Sequence, residues 1–194
     1  MKRFAVMAIL FLVMGSTQAK KLPGYVVFPN NDTLHGQLRI AATGGFLSTP
    51  YNIYDEITIT DSTGRDSTYY PSELTGFAFI DKSGEHVFRV KLHRDSTMKF
   101  QQVIVAGGRA SLYYFEPVNS GGYGSPLVYF TFERMDGTLL FLKNYDKLET
   151  LQEKIKAFYG DAGGLGQFID ERFNARGKIQ PDIKAIVIEA NRAG

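Results

Sequence analysis

The chain has 194 residues, 44% hydrophobic and 13% aromatic, with 22 Lys and Arg against 20 Asp and Glu. That length suits one domain, able to bury roughly 70% of the surface its unfolded chain exposes. The lack of Cys excludes disulfide staples, thiol chemistry and lipid attachment through an N-terminal cysteine, and near-neutral charge without a basic block argues against nucleic acid or strongly anionic lipid as partners.

Lys2 and Arg3 precede an unbroken apolar run over residues 4–14, and Gly15, Ser16, Thr17, Gln18 and Ala19 form a small-residue exit. This is the pattern of a cleaved secretory signal, with residues 1–19 removed between Ala19 and Lys20. The run of eleven is well short of the roughly 20 residues a spanning helix needs. Cleavage leaves 175 residues with equal numbers of basic and acidic side chains. The expected product is one β-rich domain over 20–194, exported to the periplasm, the outer membrane or the medium.

Period-two alternation marks strands from about 24 to 143. Leu34, Leu38 and Ile40 alternate with His35, Gln37 and Arg39, after a turn at Asn30-Asn31-Asp32. Ile57 and Ile59 alternate with threonines, and Asp61-Ser62-Thr63-Gly64 connects them to 67–70. Further strands are expected over 74–80, 88–92, 99–105, 111–115 and 128–133. Asp136-Gly137 then reads as a two-residue hairpin into 138–142. Leu112 to Phe115 and Leu139 to Leu142 are apolar on both faces and require cover on both.

From about 146 to 192 the spacing turns helical. Leu148, Leu151, Ile155 and Phe158 form one stripe, with Asp146 and Glu149 as an expected capping box and Gly160 as the stop. Leu165, Phe168, Ile169 and Phe173 suggest a second helix. Pro181 opens a third, with Ile183, Ile186, Val187 and Ala190 on one face; residues 183–190 also admit a strand, and the helical template fits better. The fold class expected is α+β: an antiparallel sheet or partial barrel followed by helices packed on it.

Chemistry-bearing motifs are scarce. The three His residues lack metal-ligand spacing, with His35 and His93 on the polar faces of their strands, so all three read as surface residues. There is no G-x-S-x-G elbow, and no spacing singles out a carboxylate pair. Gly163-Gly164-Leu165-Gly166 lacks the phosphate-loop pattern. No catalytic, metal or cofactor residue is assigned. Tyr69-Tyr70 and Tyr113-Tyr114 put one ring on each strand face, and core packing is the better reading than a glycan platform.

Asp32-Thr33-Leu34, Asp61-Ser62-Thr63, Asp66-Ser67-Thr68 and Asp95-Ser96-Thr97 share the form Asp, Ser or Thr, then Thr or an aliphatic residue. They resemble the O-glycosylation signal of exported Bacteroidota proteins, which makes Thr33, Ser62, Ser67 and Ser96 candidate acceptors; turn composition explains the tripeptides equally well. Gly24-Tyr25-Val26-Val27 followed by residues 31–38, Tyr70 to Phe77, and Val103 to Gly108 leading to Leu112-Tyr113-Tyr114 resemble elements of a group of uncharacterised exported Bacteroidota proteins, with Asn31 standing where that group has Gly. The resemblance implies envelope location and a β-rich fold, and carries over no functional residue. The functional expectation is a non-enzymatic binding module for an unknown envelope protein or glycan. The alternatives are an envelope hydrolase using dispersed carboxylates and a structural or assembly factor for outer-membrane proteins.

Overall fold

The computed structural model describes residues 20–40, 53–117, 127–160, 164–173 and 179–192. The signal-like segment and the Gly-rich stretch 120–125 lie outside them. The strands are β1 (Lys20–Val27), β2 (Thr33–Ile40), β3 (Ile57–Thr60), β4 (Asp66–Tyr69), β5 (Gly76–Asp81), β6 (Gly84–Leu92), β7 (Met98–Val105), β8 (Ala110–Phe115), β9 (Tyr129–Arg134) and β10 (Leu139–Lys143). The helices are α1 (Leu148–Tyr159), α2 (Leu165–Arg172) and α3 (Ile179–Arg192). The strands form one antiparallel sheet in the order β10-β9-β8-β7-β6-β5-β1-β2-β3-β4. The fold is α+β as expected, and residues 183–190 are helical. Among the described residues no helix is long and apolar enough to cross a membrane.

Four hairpin loops share one construction. At 28–32, 61–65, 93–97 and 134–138 the first residue donates its amide to the carbonyl of the fifth, and the fourth donates back to the first. The fourth residue is left-handed in each case: Asn31 (φ 66), Gly64 (φ 85), Ser96 (φ 65) and Gly137 (φ 81). This is the three-residue hairpin with a bulge. It corrects the two-residue reading of Asp136-Gly137, because Gly137 supplies the bulge rather than a turn centre. Asn30, Asp95 and Asp136 each accept the amide two residues on, at 2.9–3.0 Å. Asp61 does the same for Thr63 at 2.8 Å. Asp-x-Thr is therefore a turn clamp at 61–63, 95–97 and 136–138.

The sheet is open and strongly curled. Phe100 of β7 donates its amide to the carbonyl of Tyr54, 2.9 Å away, although β3, only three residues beyond Tyr54, lies five strand positions from β7. Five spacings span roughly 24 Å in a flat sheet, whereas three residues reach at most about 11 Å. The sheet must bend back on itself. Gly24 and Gly36 face each other across β1 and β2, two of the strands that the curl runs through. A Cβ on Gly24 would lie 2.2 Å from the Ala78 carbonyl oxygen, and one on Gly36 would lie 2.3 Å from that of Thr60. Only glycine permits such an approach.

Two cores fill one face of this sheet. Inside the curl, Phe77 stacks on Phe88 at 4.6 Å and meets Phe100 edge-on at 5.0 Å, beside Val26, Leu38 and Ile59. Register carries the same face onward, from Phe88 through Gln102 and Tyr114 to Phe130 and Leu142. There the helices cover it, with Leu151, Ile155, Ile169, Ile183, Ile186 and Val187 packed on Leu112, Phe130, Phe132 and Leu142. Burial of each such side chain is worth about 1.5–3 kcal/mol. A register shift between Val103 and Val105 lets Ile104 and Val105 both pack on this helical core.

Helix ends follow the sequence only in part. Gly160 (φ 66) stops α1 as expected, its amide bonding to the Lys156 carbonyl. The capping box is not formed. The N-cap of α1 is Lys147, without a side-chain cap. Asp146 turns instead to the Lys154 ammonium, 3.3 Å away. The third helix begins at Ile179, so Pro181 lies within its first turn rather than opening it. Asn191 at the far end of α3 clamps the β7–β8 loop, accepting from the Ala110 amide and donating to the Gly107 and Ala110 carbonyls at 2.8–2.9 Å.

Candidate functional site: an aromatic cleft around His93

The other face of the sheet carries the chemistry, and at one end its Phe115 and Tyr129 join the core inside the curl. Because Arg89 pairs with Gln101, Lys91 with Lys99, Tyr113 with Thr131 and Phe115 with Tyr129, all of these side chains project to that side. Cover differs between the two faces of β8. Leu112 and Tyr114 pack against the helical core, while Tyr113 lies on the other face under a Lys91–Glu133 pair. Lys91 donates to Glu133 at 2.6 Å, the Tyr113 hydroxyl donates to the same carboxylate at 2.8 Å, and the ammonium sits 4.8 Å from the Tyr113 ring centroid. Burial pulls Lys91 toward the neutral form, but Glu133 and Tyr113 together outweigh it and raise its pKa. The helices thus cover one face only, and the second face is covered by its own long side chains.

At the end of this face, beyond β6, lies a cleft of about 320 Å³ lined by Tyr54, Asp55, His93, Asp95, Lys99, Phe115, Pro117 and Tyr129. One wall is the segment that closes the curl, held by the Lys99–Asp55 ion pair. The ring of Tyr54 lies 4.6 Å from that of Phe115. His93 is in contact with Phe115 at 4.5 Å and with Tyr129 at 4.9 Å, edge-on.

His93 corrects the sequence expectation. It stands on the outer face as read, yet it is only 7% exposed, because Phe115 and Tyr129 fold over it. Burial pushes its imidazole pKa down, opposed by Asp95, so the ring is neutral at neutral pH. Among the described residues its Nδ1 has no hydrogen-bond partner, nor do the buried Gln101 Oε1 and Thr131 Oγ1 on the same face. Unmet buried polar atoms are rare in folded proteins, so three on one face is a notable concentration. His35 is exposed, as expected.

Asp95 accepts from the Thr97 hydroxyl and amide, which lower the pKa of its carboxyl. It is a committed acceptor, the opposite of the raised carboxylic acid that glycoside hydrolysis requires. Asp55 has its charge matched by Lys99. Together the cleft offers three aromatic rings, a neutral imidazole and an ionised carboxylate.

A second cluster was not legible in the sequence. Ser83 and Asp81 both approach His86 Nε2, at 2.9 and 3.0 Å, and Ser83 donates to Asp81 at 2.6 Å. Gln102 meets the other ring nitrogen at 3.2 Å. A Ser-His-Asp relay places serine and carboxylate on opposite nitrogens of the imidazole. Here both compete for one, so the serine has no base. The group clamps the β5–β6 turn, with His86 stacked on Phe79 at 4.9 Å. No group of three or more His, Cys, Asp or Glu among the described residues could hold a metal ion.

The modification candidates are dispersed. Thr33, Ser62 and Ser96 are exposed, Thr33 at the start of β2 and the two serines in hairpin loops. Ser67 is half-buried within β4, opposite Ile59. Lys20, on the far side of the expected cleavage point from Ala19, is the first residue of β1 and pairs with Ile40. Ala19 lies outside the described residues. No family model matches the chain, and no match was found among curated proteins or solved structures.

Proposed function

We propose that this chain is an exported envelope module, periplasmic or cell-surface, whose His93 cleft binds a neutral, hydroxyl-rich ligand of the glycan class. The observation that carries the reading is the cleft wall. Tyr129, half-buried, offers ring surface for the apolar face of a sugar, backed by the buried rings of Tyr54 and Phe115. Thr97 occupies only Oδ1 of the ionised Asp95, which leaves its second carboxylate oxygen for hydroxyl donors, while neutral His93 lies buried behind the cleft wall with its Nδ1 unpartnered among the described residues. The volume is at the small end of ligand pockets. Export rests on the signal-like first nineteen residues and on the resemblance to exported Bacteroidota proteins.

One observation favours a hydrolase instead: Asp55 and Asp95 both border the cleft. The turn contacts that hold Asp95 ionised weigh against its serving as the acid. The test is a heteronuclear NMR titration with neutral oligosaccharides. Binding predicts saturable shifts at His93 and Tyr129, lost in Tyr129→Ala, with the sugar recovered intact. Cleaved sugar would favour the hydrolase, and a spectrum unchanged by every neutral oligosaccharide would remove the glycan reading.

A further inference from the structure

A second pocket, sharing no residue with the His93 cleft, lies at the opposite end of the sheet face, where the β7–β8 and β9–β10 loops meet the end of α1. It has a volume of about 290 Å³ and is lined by Arg109, Arg134, Met135, Asp136 and Tyr159. The geometry points to a carboxylate-binding site in which Arg109, Arg134 and the Tyr159 hydroxyl receive the carboxylate of a ligand carried on an apolar stem.

Three donors line this pocket, and Asp136 is the one carboxylate in its lining. Tyr159 is 8% exposed, and its hydroxyl has no hydrogen-bond partner among the described residues. Burial raises its pKa, and the nearby Arg109 charge pulls it back, so a neutral O–H and a guanidinium lie close together. Arg109 makes no hydrogen bond or ion pair with another described residue. Arg134 is only partly occupied, through the Phe158 carbonyl at 3.4 Å and Asp136 at 3.3 Å. Of the three only Tyr159 is buried, and a buried donor normally finds an acceptor; a ligand carboxylate would serve it together with the two guanidinium groups.

The site is held in place from below. Asn191 fixes the backbone on both sides of Arg109 through Gly107 and Ala110. The Phe158 ring lies 5.9 Å from the Arg134 guanidinium. Asp136, kept ionised first by the Thr138 amide, is fixed in its turn. Two guanidinium groups against one carboxylate leave a single positive charge, which suits a monoanion better than a phosphate dianion. Met135, 89% exposed, stands at the mouth and gives the stem an apolar contact.

The test uses hexanoate as probe, hexanol and inorganic phosphate as controls, and NMR titration of the full chain as readout. Hexanoate binds saturably, shifting the Met135 methyl and Tyr159 ring signals, and hexanol does not. Arg109→Gln, at a half-exposed loop position, weakens hexanoate about ten-fold or more, the equivalent of one charge-assisted hydrogen bond. Tyr159→Phe weakens it roughly five-fold, yet unfolds at the same denaturant concentration as the parent or higher, because it deletes an unmet hydroxyl. Absent hexanoate binding, equal affinity for hexanol, tighter binding of phosphate, or indifference to Arg109→Gln would each overturn the assignment. Because the residues and the probe differ from those of the His93 cleft, failure at one site leaves the other standing.

Discussion

Gly36→Ala tests the curl of the sheet. A Cβ added at Gly36 would lie 2.3 Å from the Thr60 carbonyl oxygen and 2.9 Å from Ile59 Cγ1. The oxygen belongs to the backbone of β3, so relief requires β2 and β3 to separate by on the order of 1 Å or more, the shortfall from ordinary contact. Overpacking of this kind costs roughly 1–3 kcal/mol, and a weakened ladder hydrogen bond adds about 1 kcal/mol. The expected loss is therefore about 3 kcal/mol, a large share of the roughly 5–15 kcal/mol by which domains are stable. Gly64→Ala is the control. Its position has φ +85 with nothing within 4 Å, so the substitution costs only the left-handed penalty of about 1–2 kcal/mol. Urea unfolding followed by circular dichroism reads both, and at m of about 1–3 kcal/mol per molar the Gly36 variant shifts its midpoint down by at least about 1 M. If Gly36→Ala costs no more than Gly64→Ala, the close approach that defines the bend is wrong.

Other expectations address single features. Ser96 occupies the left-handed loop position that Gly64 and Gly137 fill elsewhere, so Ser96→Gly should raise stability by about 0.5–1 kcal/mol in urea unfolding; a loss would mean that the serine side chain earns its place. Thr131 is 1% exposed with an unmet hydroxyl, and Thr131→Val should be neutral or stabilising by about 0.5–1 kcal/mol, whereas a loss above about 1 kcal/mol would reveal a partner for the hydroxyl. His93 has a folded pKa below its unfolded value of about 6.5. The unfolded chain then binds the extra proton first, so its contribution to stability is complete above about pH 6.5 and is lost as pH falls from there through the folded pKa. Asp95 and Asp55 oppose the shift, while Lys99 and Arg94 reinforce it. Unfolding midpoints between pH 5 and 8 should show this slope, and His93→Leu should flatten it; a slope unchanged in that variant would assign the titration elsewhere. The depressed carboxylate Asp81 acts in a separate window, contributing above about pH 4 and failing as pH falls further.

Much of the fold was legible because its periods are clean. Ile183, Ile186, Val187 and Ala190 repeat at helical spacing, and all four are buried in α3. The alternation of Leu38 and Ile40 with Gln37 and Arg39 is the alternation of buried and exposed positions in β2. Closure was not legible. It depends on a backbone bond from Phe100 to Tyr54, and backbone donors leave no mark in composition. Gly24 and Gly36 were the available signal, since glycine inside a strand pattern marks close approach or a bend. Asp146 failed as a cap because the helix starts one residue later than the motif implies, with Lys147 at the N-cap, and the Asp146 carboxylate pairs with Lys154.

The sites were less legible than the fold, for a reason the residues make plain. His93 was placed on the correct face, but its burial comes from Phe115 and Tyr129 on other strands, and a strand's own period says only which side a residue takes. Arg109, Arg134 and Tyr159 belong to three separate elements brought together by hairpin loops and a helix end. None sits in a motif, because each loop motif serves its own turn: Gly107-Gly108 leads into Arg109, and Asp136-Gly137 follows Arg134. The turn chemistry that the sequence displays so openly therefore does double duty. It closes the hairpins, and in closing them it fixes where the side chains flanking each turn project. A search for further sites in chains of this kind should begin with the residues adjoining Asp-x-Thr and Gly-Gly loops rather than within the strands.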